Sequence, residues 1–455
     1  MKKMILISLV VIVVHLTATA QKKSAQKKFD KKKSDRIDSL VNAGFENREF
    51  TGTVFVIKDG KLLMHKGYGY SDVMNKIHNG EETIYNIASI TKTFTSALIM
   101  KLQESGKVSV EDNLSKYYPG FPNADKITIR HLLTHSSGLP DYVQDQGFRN
   151  SDQTKEATLE VMIGWFRDKP LNFEPGTKFM YSNSGYTLLG YVIEKITGMP
   201  YSEALVKYIF KPLEMNHTSF GPPKDTAKLA RGYGMYFKNF QRLTPAVHPS
   251  ISYATGAIYS TTGDLSKWHE ALQSGKFLNK LSLIAMYHRD KGNYGFGWFT
   301  DSLYGKQRVS HDGNIQGYKS NINRFPGDNT CIIALSNANN SAVGGMVRNI
   351  VNILYDQPFS KSIMDAPVLR LPDSLKTAYT GTYRFGSSDK EKISIALDKD
   401  DLVLSIPGNK EMRLEALNPN VFRSGSARIE FSGPGKGQYN QVMIFNKGEF
   451  LGAQK

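Results

Sequence analysis

Apolar residues return at helical spacing along several stretches of this chain, and alternate or run unbroken in several shorter ones. Thr93 to Gln103 predicts a largely buried helix ending near Gly106, Tyr186 to Ile196 a second, and Gly344 to Leu354 a third. Ser39 to Phe45 reads as the end of another helix, and Gly52 to Leu63 as two strands joined by an Asp59-Gly60 turn. Strands return at Arg308 to His311, Ser320 to Phe325 and Thr330 to Ser336, after a long region of helices and loops from Val110 to about Ser282. Strands at both ends with helices between predict one sheet built from the two ends of a domain, with a helical lobe beside it.

Past residue 355 the pattern changes. Asp356 to Pro372 holds Pro358, Pro367 and Pro372 and reads as part of a linker, 356–377. From 378 to 455 short β-rich runs, such as Ile393 to Leu397, Leu402 to Ile406 and Gln441 to Phe445, alternate with turn residues and predict an antiparallel sheet or small barrel. The fold class expected is therefore α/β plus all-α over 37–355, followed by a C-terminal antiparallel β domain.

Composition adds a compartment and removes some functions. Met1-Lys2-Lys3, the apolar Met4 to Val14 and the small residues before Gln21 have the three regions of a secretory signal peptide cleaved after Ala20, so the chain is expected to be exported, periplasmic or secreted. Its formal net charge is +16. Much of the excess lies in 21–36, where Lys22, Lys23, Lys27, Lys28, Lys31, Lys32, Lys33 and Arg36 face only Asp30 and Asp35; this predicts a flexible segment or frayed helix start, with weak contact to an anionic surface as one use. With Phe29 as its sole aromatic and no recognition motif, nucleic-acid binding is not expected. Cys331 is the only cysteine, so no internal disulfide can form, and its strand context predicts a small buried hydrophobe.

Three short segments carry candidate chemistry. Ser89-Ile90-Thr91-Lys92 places a hydroxyl and an amine one turn apart at the start of a helix, where the helix dipole favours an alkoxide and burial would lower the lysine pKa. Tyr181-Ser182-Asn183 lies in a loop entering a helix and can present a phenol and an amide, or merely cap that helix. His311-Asp312-Gly313-Asn314 precedes a strand and could equally be an Asp-Gly hairpin turn.

In this order the three resemble the signature of the serine β-lactamase and penicillin-binding protein superfamily, and the Tyr-Ser-Asn element looks like the class C branch with its esterase and D-peptidase relatives. Leu132 to Pro140, Glu174-Pro175-Gly176 and Tyr294-Gly295-Phe296-Gly297-Trp298 strengthen the match, which runs from about Ile37 to Leu354. The resemblance implies Ser89 as nucleophile, Lys92 and Tyr181 as its acid/base unit, and Asn183 orienting Lys92 and a substrate amide. It implies Gly313 and Asn314 beside the substrate, with the backbone N–H groups of Ser89 and Asn314 forming an oxyanion hole, and no cofactor or metal. His311 stands where a class C β-lactamase has lysine, and is expected to offer a hydrogen bond or a charge at low pH to a substrate carboxylate or to Tyr181.

An ester, a D-amino-acid peptide or a cell-wall fragment is the substrate expected. β-Lactamase, D,D-carboxypeptidase and a catalytically silent cell-wall binding protein are the alternatives. His131 and His135 have the i, i+4 spacing of a zinc helix, but Leu132 replaces the glutamate that such a helix would carry, so loop histidines are expected instead.

Overall fold

The structure is a computed structural model that describes residues 30–455 apart from 48, 238–239, 340, 360–366, 386–390, 426, 434–438 and 447–448. The expected signal peptide, 1–20, and residues 21–29 of the basic segment lie outside the described residues. The chain divides into two compact units, one holding residues up to 236 and 241–359, the other 237–240 and 360–455.

The first unit is organised by an antiparallel sheet. In chain order its strands are β1 (Gly52–Lys58), β2 (Lys61–Tyr68), β3 (Phe299–Leu303), β4 (Lys306–Ile315), β5 (Tyr318–Phe325) and β6 (Thr330–Ser336); across the sheet the order is β3-β4-β5-β6-β1-β2. The seam is β1 against β6, with Val54 opposite Ala334 and Val56 opposite Ile332, so the two ends of the unit are joined as the pattern predicts. Both faces of β1 are covered, which is why it reads Thr-Val-Phe-Val-Ile without polar alternation. Val54 and Val56 pack with Ile37, Leu40, Val347 and Ile350 from the helix of residues 30–46 and the helix Val343–Leu354. Phe55 and Ile57 face the helical lobe, sharing a core with Phe94, Leu98 and Trp268.

Residues 30–36, read from the sequence as part of a flexible segment or the frayed start of a helix, are helical. Lys33 is buried, donates to the Leu354 carbonyl at 2.6 Å and pairs with Asp356 at 2.9 Å, so this part of the charge run is built into the fold. The Asp-Gly element at 312–313 is not a turn. Lys306–Ile315 is one continuous strand, and the reversal comes at Gln316-Gly317, because Ile315 pairs with Tyr318.

The second unit is a closed antiparallel barrel of eight strands running from Gly381–Arg384 to Glu449–Gln454, closed by the pairing of Arg384 with Gln454. Aromatic rings fill it: Tyr379 stacks on Tyr439 with centroids 4.3 Å apart, and Phe422 and Phe431 pack beside them. The stretch expected to be a linker ends in a helix, Asp373–Tyr379, which delivers Tyr379 to this core.

Candidate active site

Ser89 sits in a single 3-10 turn, Ala88–Ile90, directly before the helix Thr91–Glu104. The turn is fixed by its neighbours: the Ile87 N–H donates to the Ile258 carbonyl at 2.9 Å, and the Ala88 N–H to Asn86 Oδ1 at 2.7 Å. Ala88 has φ +46°, a conformation that disfavours a side chain by about 1–3 kcal/mol and persists where surrounding packing dictates it. Its effect is to lift Ser89 out of the wall, partly exposed between buried Ala88 and buried Ile90.

The next turn of chain buries Lys92 completely, at 0% exposure. Its Nζ donates to Ser89 Oγ at 3.0 Å and to the Thr255 carbonyl at 2.9 Å. Burial pulls the ammonium down to about 7, against the opposing fields of Asp141 and Asp312. A large share of Lys92 is thus a neutral amine near neutral pH, within reach of the serine proton. The Thr255 carbonyl is aimed by the helix Pro249–Gly256, whose path breaks at Tyr253 (φ 34°, ψ −127°).

Tyr181 comes from the loop before the helix Asn183–Thr197, and the Ser89 side chain is among the groups that act on its phenol. Burial holds the phenol well above its ordinary pKa, so it stays protonated. The ring lies between His135, at 4.1 Å, and Phe299, parallel at 6.4 Å, and Lys92 Nζ stands 5.1 Å from its centroid. His135 is buried, kept neutral by burial and by Lys92 and His311, and its Nδ1 accepts the Ser182 N–H at 3.2 Å. It therefore fixes the loop that carries Tyr181. His131, the other histidine of the i, i+4 pair, closes the start of the helix Ile129–Leu133 by accepting from the Thr128 N–H.

Asn183 departs from the expected role toward Lys92. Its backbone N–H and Nδ2 both donate to Asp141, at 3.1–3.2 Å, while Lys92 is oriented by Ser89 and Thr255. With Nδ2 engaged, the Asn183 Oδ1 is the amide atom left for substrate. His311 departs further. It is 1% exposed, its Nδ1–H donates to the Asp312 carbonyl at 2.6 Å, and its Nε2 accepts from the Tyr294 hydroxyl at 2.9 Å. Burial, helped by the charge of Lys92, lowers it to about 3. Both ring nitrogens are in use and the ring is neutral, so it has neither a charge nor a free donor for a substrate carboxylate or for Tyr181.

Gly313 closes the wall opposite Ser89. A Cβ there would come within 2.3 Å of Ser320 Oγ, 2.6 Å of the Ile87 carbonyl and 2.9 Å of Ala88 Cβ, so only glycine lets β4 approach the serine turn. The pairing of β3 with β4 stops at Ser310, which leaves 311–315 without a sheet neighbour on that side. Gly297 makes a similar close approach on the other side of the helix, where a Cβ would meet the Lys92 carbonyl at 2.8 Å. Ser89, Asn183 and Asn314 line one cavity of about 240 Å³ together with Tyr142, Ile251 and Thr255.

Ser89, Lys92, Tyr181, Asn183, His311, Gly313 and Asn314 thus lie together about this groove between sheet and helical lobe. Missed were Thr255, which acts through a main-chain carbonyl and so has no side-chain signal, and Asp141, one residue beyond the quoted Leu132 to Pro140 stretch. Tyr294 was legible as part of a motif but not as the partner of His311.

A sequence model described as Beta-lactamase matches residues 37–357, and the chain belongs to that family, part of the serine β-lactamase and transpeptidase superfamily. Penicillin-binding protein 4* of Bacillus subtilis (strain 168) is 29% identical over 431 residues, covering 88% of this chain and 94% of that protein. Among solved structures, the octameric penicillin-binding protein homologue from Pyrococcus abyssi is 26% identical with a TM-score of 0.65, covering 92% of this chain and 99% of that one. D-amino acid amidase from Ochrobactrum anthropi SV3 is 25% identical with a TM-score of 0.62, covering 70% and 98%. The chain is thereby a hydrolase of the β-lactamase and penicillin-binding protein family.

Proposed function

We propose that this protein is an exported serine hydrolase that forms an acyl-enzyme on Ser89 from an ester or from an amide of the D-amino-acid type. The observation that carries the reading is the contact of a buried, largely neutral Lys92 amine with Ser89 Oγ at 3.0 Å. Ser89 Oγ attacks the carbonyl carbon and its proton passes to Lys92 Nζ. The oxyanion is received by the backbone N–H groups of Ser89 and Asn314, a kind of donor pair whose members are each worth about 3 kcal/mol in the transition state. Tyr181, held protonated by burial, relays a proton to the leaving group as the tetrahedral species collapses. Water then attacks the ester, and Ser89 recovers its proton.

The substrate class follows from the same groove. A neutral His311 offers no fixed cation to a substrate carboxylate, which disfavours cephalosporins and D-Ala-D-Ala peptides against esters and D-amino acid amides. The likeness to a D-amino acid amidase supports this ranking. Mass spectrometry of the intact protein after incubation with a p-nitrophenyl ester, a D-amino acid amide, a D-Ala-D-Ala peptide and a cephalosporin tests both parts. An adduct on Ser89 from the first two is expected; a clear cephalosporin preference would overturn the substrate assignment, and labelling of Ser89→Ala by a fluorophosphonate would overturn the nucleophile.

A further inference from the structure

A second cavity, of about 870 Å³, lies between the helices Thr262–Gln273 and Lys280–Tyr287 and strands β3 to β5. None of its lining residues lines the Ser89 cavity. Its charge is one-sided. Lys280, His288, Arg289 and Arg324 line it, and its one lining carboxylate, Asp301, is already held by Arg308, which donates from Nε at 2.8 Å and again from Nη2. Among the described residues Lys280, Arg289 and Arg324 form no ion pair.

Arg324 is the unusual member. It is 0% exposed, and it donates to His269 Nδ1 at 2.9 Å, to the His269 carbonyl at 3.5 Å and to the Tyr287 hydroxyl. His269 brings no negative charge: its Nε2–H is donated to Asn329 Oδ1 at 2.9 Å, and burial together with Arg324 keeps the ring neutral. The rings of Trp298 and Tyr287, 5.5 and 5.7 Å from the guanidinium carbon, complete the surroundings. A guanidinium cannot shed its proton, and a buried charge without a counter-charge opposes folding. Two of its five N–H groups remain undonated. Thr300 is in the same cross-strand row, through Thr300–Val309 and Val309–Arg324 pairing, and lines the cavity at 4% exposure with a hydroxyl that has no partner.

We propose that this cavity binds a phosphoryl-bearing anion, with Lys280 and Arg289 as its donors and the unpaired charge of the buried Arg324 behind them. A phosphoryl group suits the site better than a planar carboxylate, because its tetrahedral oxygens can accept from several walls at once and its charge approaches two. The volume leaves room for the small alcohol or sugar that carries the group, so a soluble sugar phosphate and a phospholipid headgroup are the two sources of the same chemistry.

Calorimetric titration of the full chain with glucose 6-phosphate and with glucose, and flotation with phosphatidylglycerol against phosphatidylcholine vesicles, separates them. Saturable binding of glucose 6-phosphate, with none of glucose, is expected. The Lys280→Gln/Arg289→Gln protein should bind about tenfold more weakly or worse, while its p-nitrophenyl ester turnover is unchanged. Capture by phosphatidylglycerol alone, lost in the same variant, assigns the phosphoryl group to a lipid. Absence of binding to every probe, or equal binding by the variant, overturns the proposal.

Discussion

Lys92 and Arg324 are both fully buried cations without a carboxylate partner, in two regions of one unit, and the fold treats them differently. The amine of Lys92 escapes the penalty of burial by giving up its proton, and a deprotonated amine beside a serine is a base. The guanidinium of Arg324 has no such escape. It keeps its charge and spreads its donors over a neutral histidine and a phenol, at the edge of a basic cavity. Burial of the one is relieved by loss of a proton, and burial of the other leaves its charge in place.

The strongest way to break this contrast is to make the two positions alike. Lys92→Arg puts a permanent cation beside Ser89, and ester turnover should fall roughly 10³-fold or more, approaching the roughly 10⁴-fold loss expected of Ser89→Ala. Wild-type turnover by a folded Lys92→Arg protein would show that no neutral base is needed.

Next in size is stability. The folded-state pKa of Lys92 lies below the unfolded value, so the unfolded chain binds more protons between about pH 7 and the ordinary lysine value of about 10.4. Burial of Lys92 therefore destabilises the protein in full below pH 7, and the penalty fades as pH rises through that window. Lys92→Met should gain about 2–4 kcal/mol at pH 6, after losing the bond to Thr255, and progressively less toward pH 10. Urea denaturation at the two pH values checks the sign; a gain that grew with pH would contradict it. In the wild type the same ionisation should give kcat/KM on a neutral ester an acid limb centred near pH 7, with activity lost as pH falls.

Gly313→Ala tests the approach of β4 to the serine turn. With backbone atoms in the way, it should lower stability by about 1–3 kcal/mol and reduce turnover, read from thermal melts and kinetics together. His311→Gln is the mildest change. An amide can donate toward the Asp312 carbonyl and accept from Tyr294, so turnover should stay within about tenfold and the acid limb should not move. A loss of three orders of magnitude would make His311 a participant in the chemistry.

Much of this fold is local and was legible for that reason. The Asp59-Gly60 hairpin, the helix from Thr91 and the alternating runs of the barrel each follow from the few residues that form them. Asp312-Gly313 misled as a turn candidate because the dipeptide is a turn signal only when the chain is free to reverse; here pairing with Asn321 and Ser320 holds it extended. Asn183 and His311 were legible as members of the site, but their partners Asp141 and Tyr294 lie 42 and 17 residues away along the chain.

The sequence by itself determined the layout of strands and helices, the family to which they belong and the side chains that meet at the groove, since each depends on residue type, spacing and order. Only the tertiary structure decided their protonation and aim. The amine of Lys92 is drawn toward its neutral form, His311 is held neutral and Arg324 is left charged because burial acts on each group through neighbours distant in sequence, and desolvation cannot be read from composition or spacing.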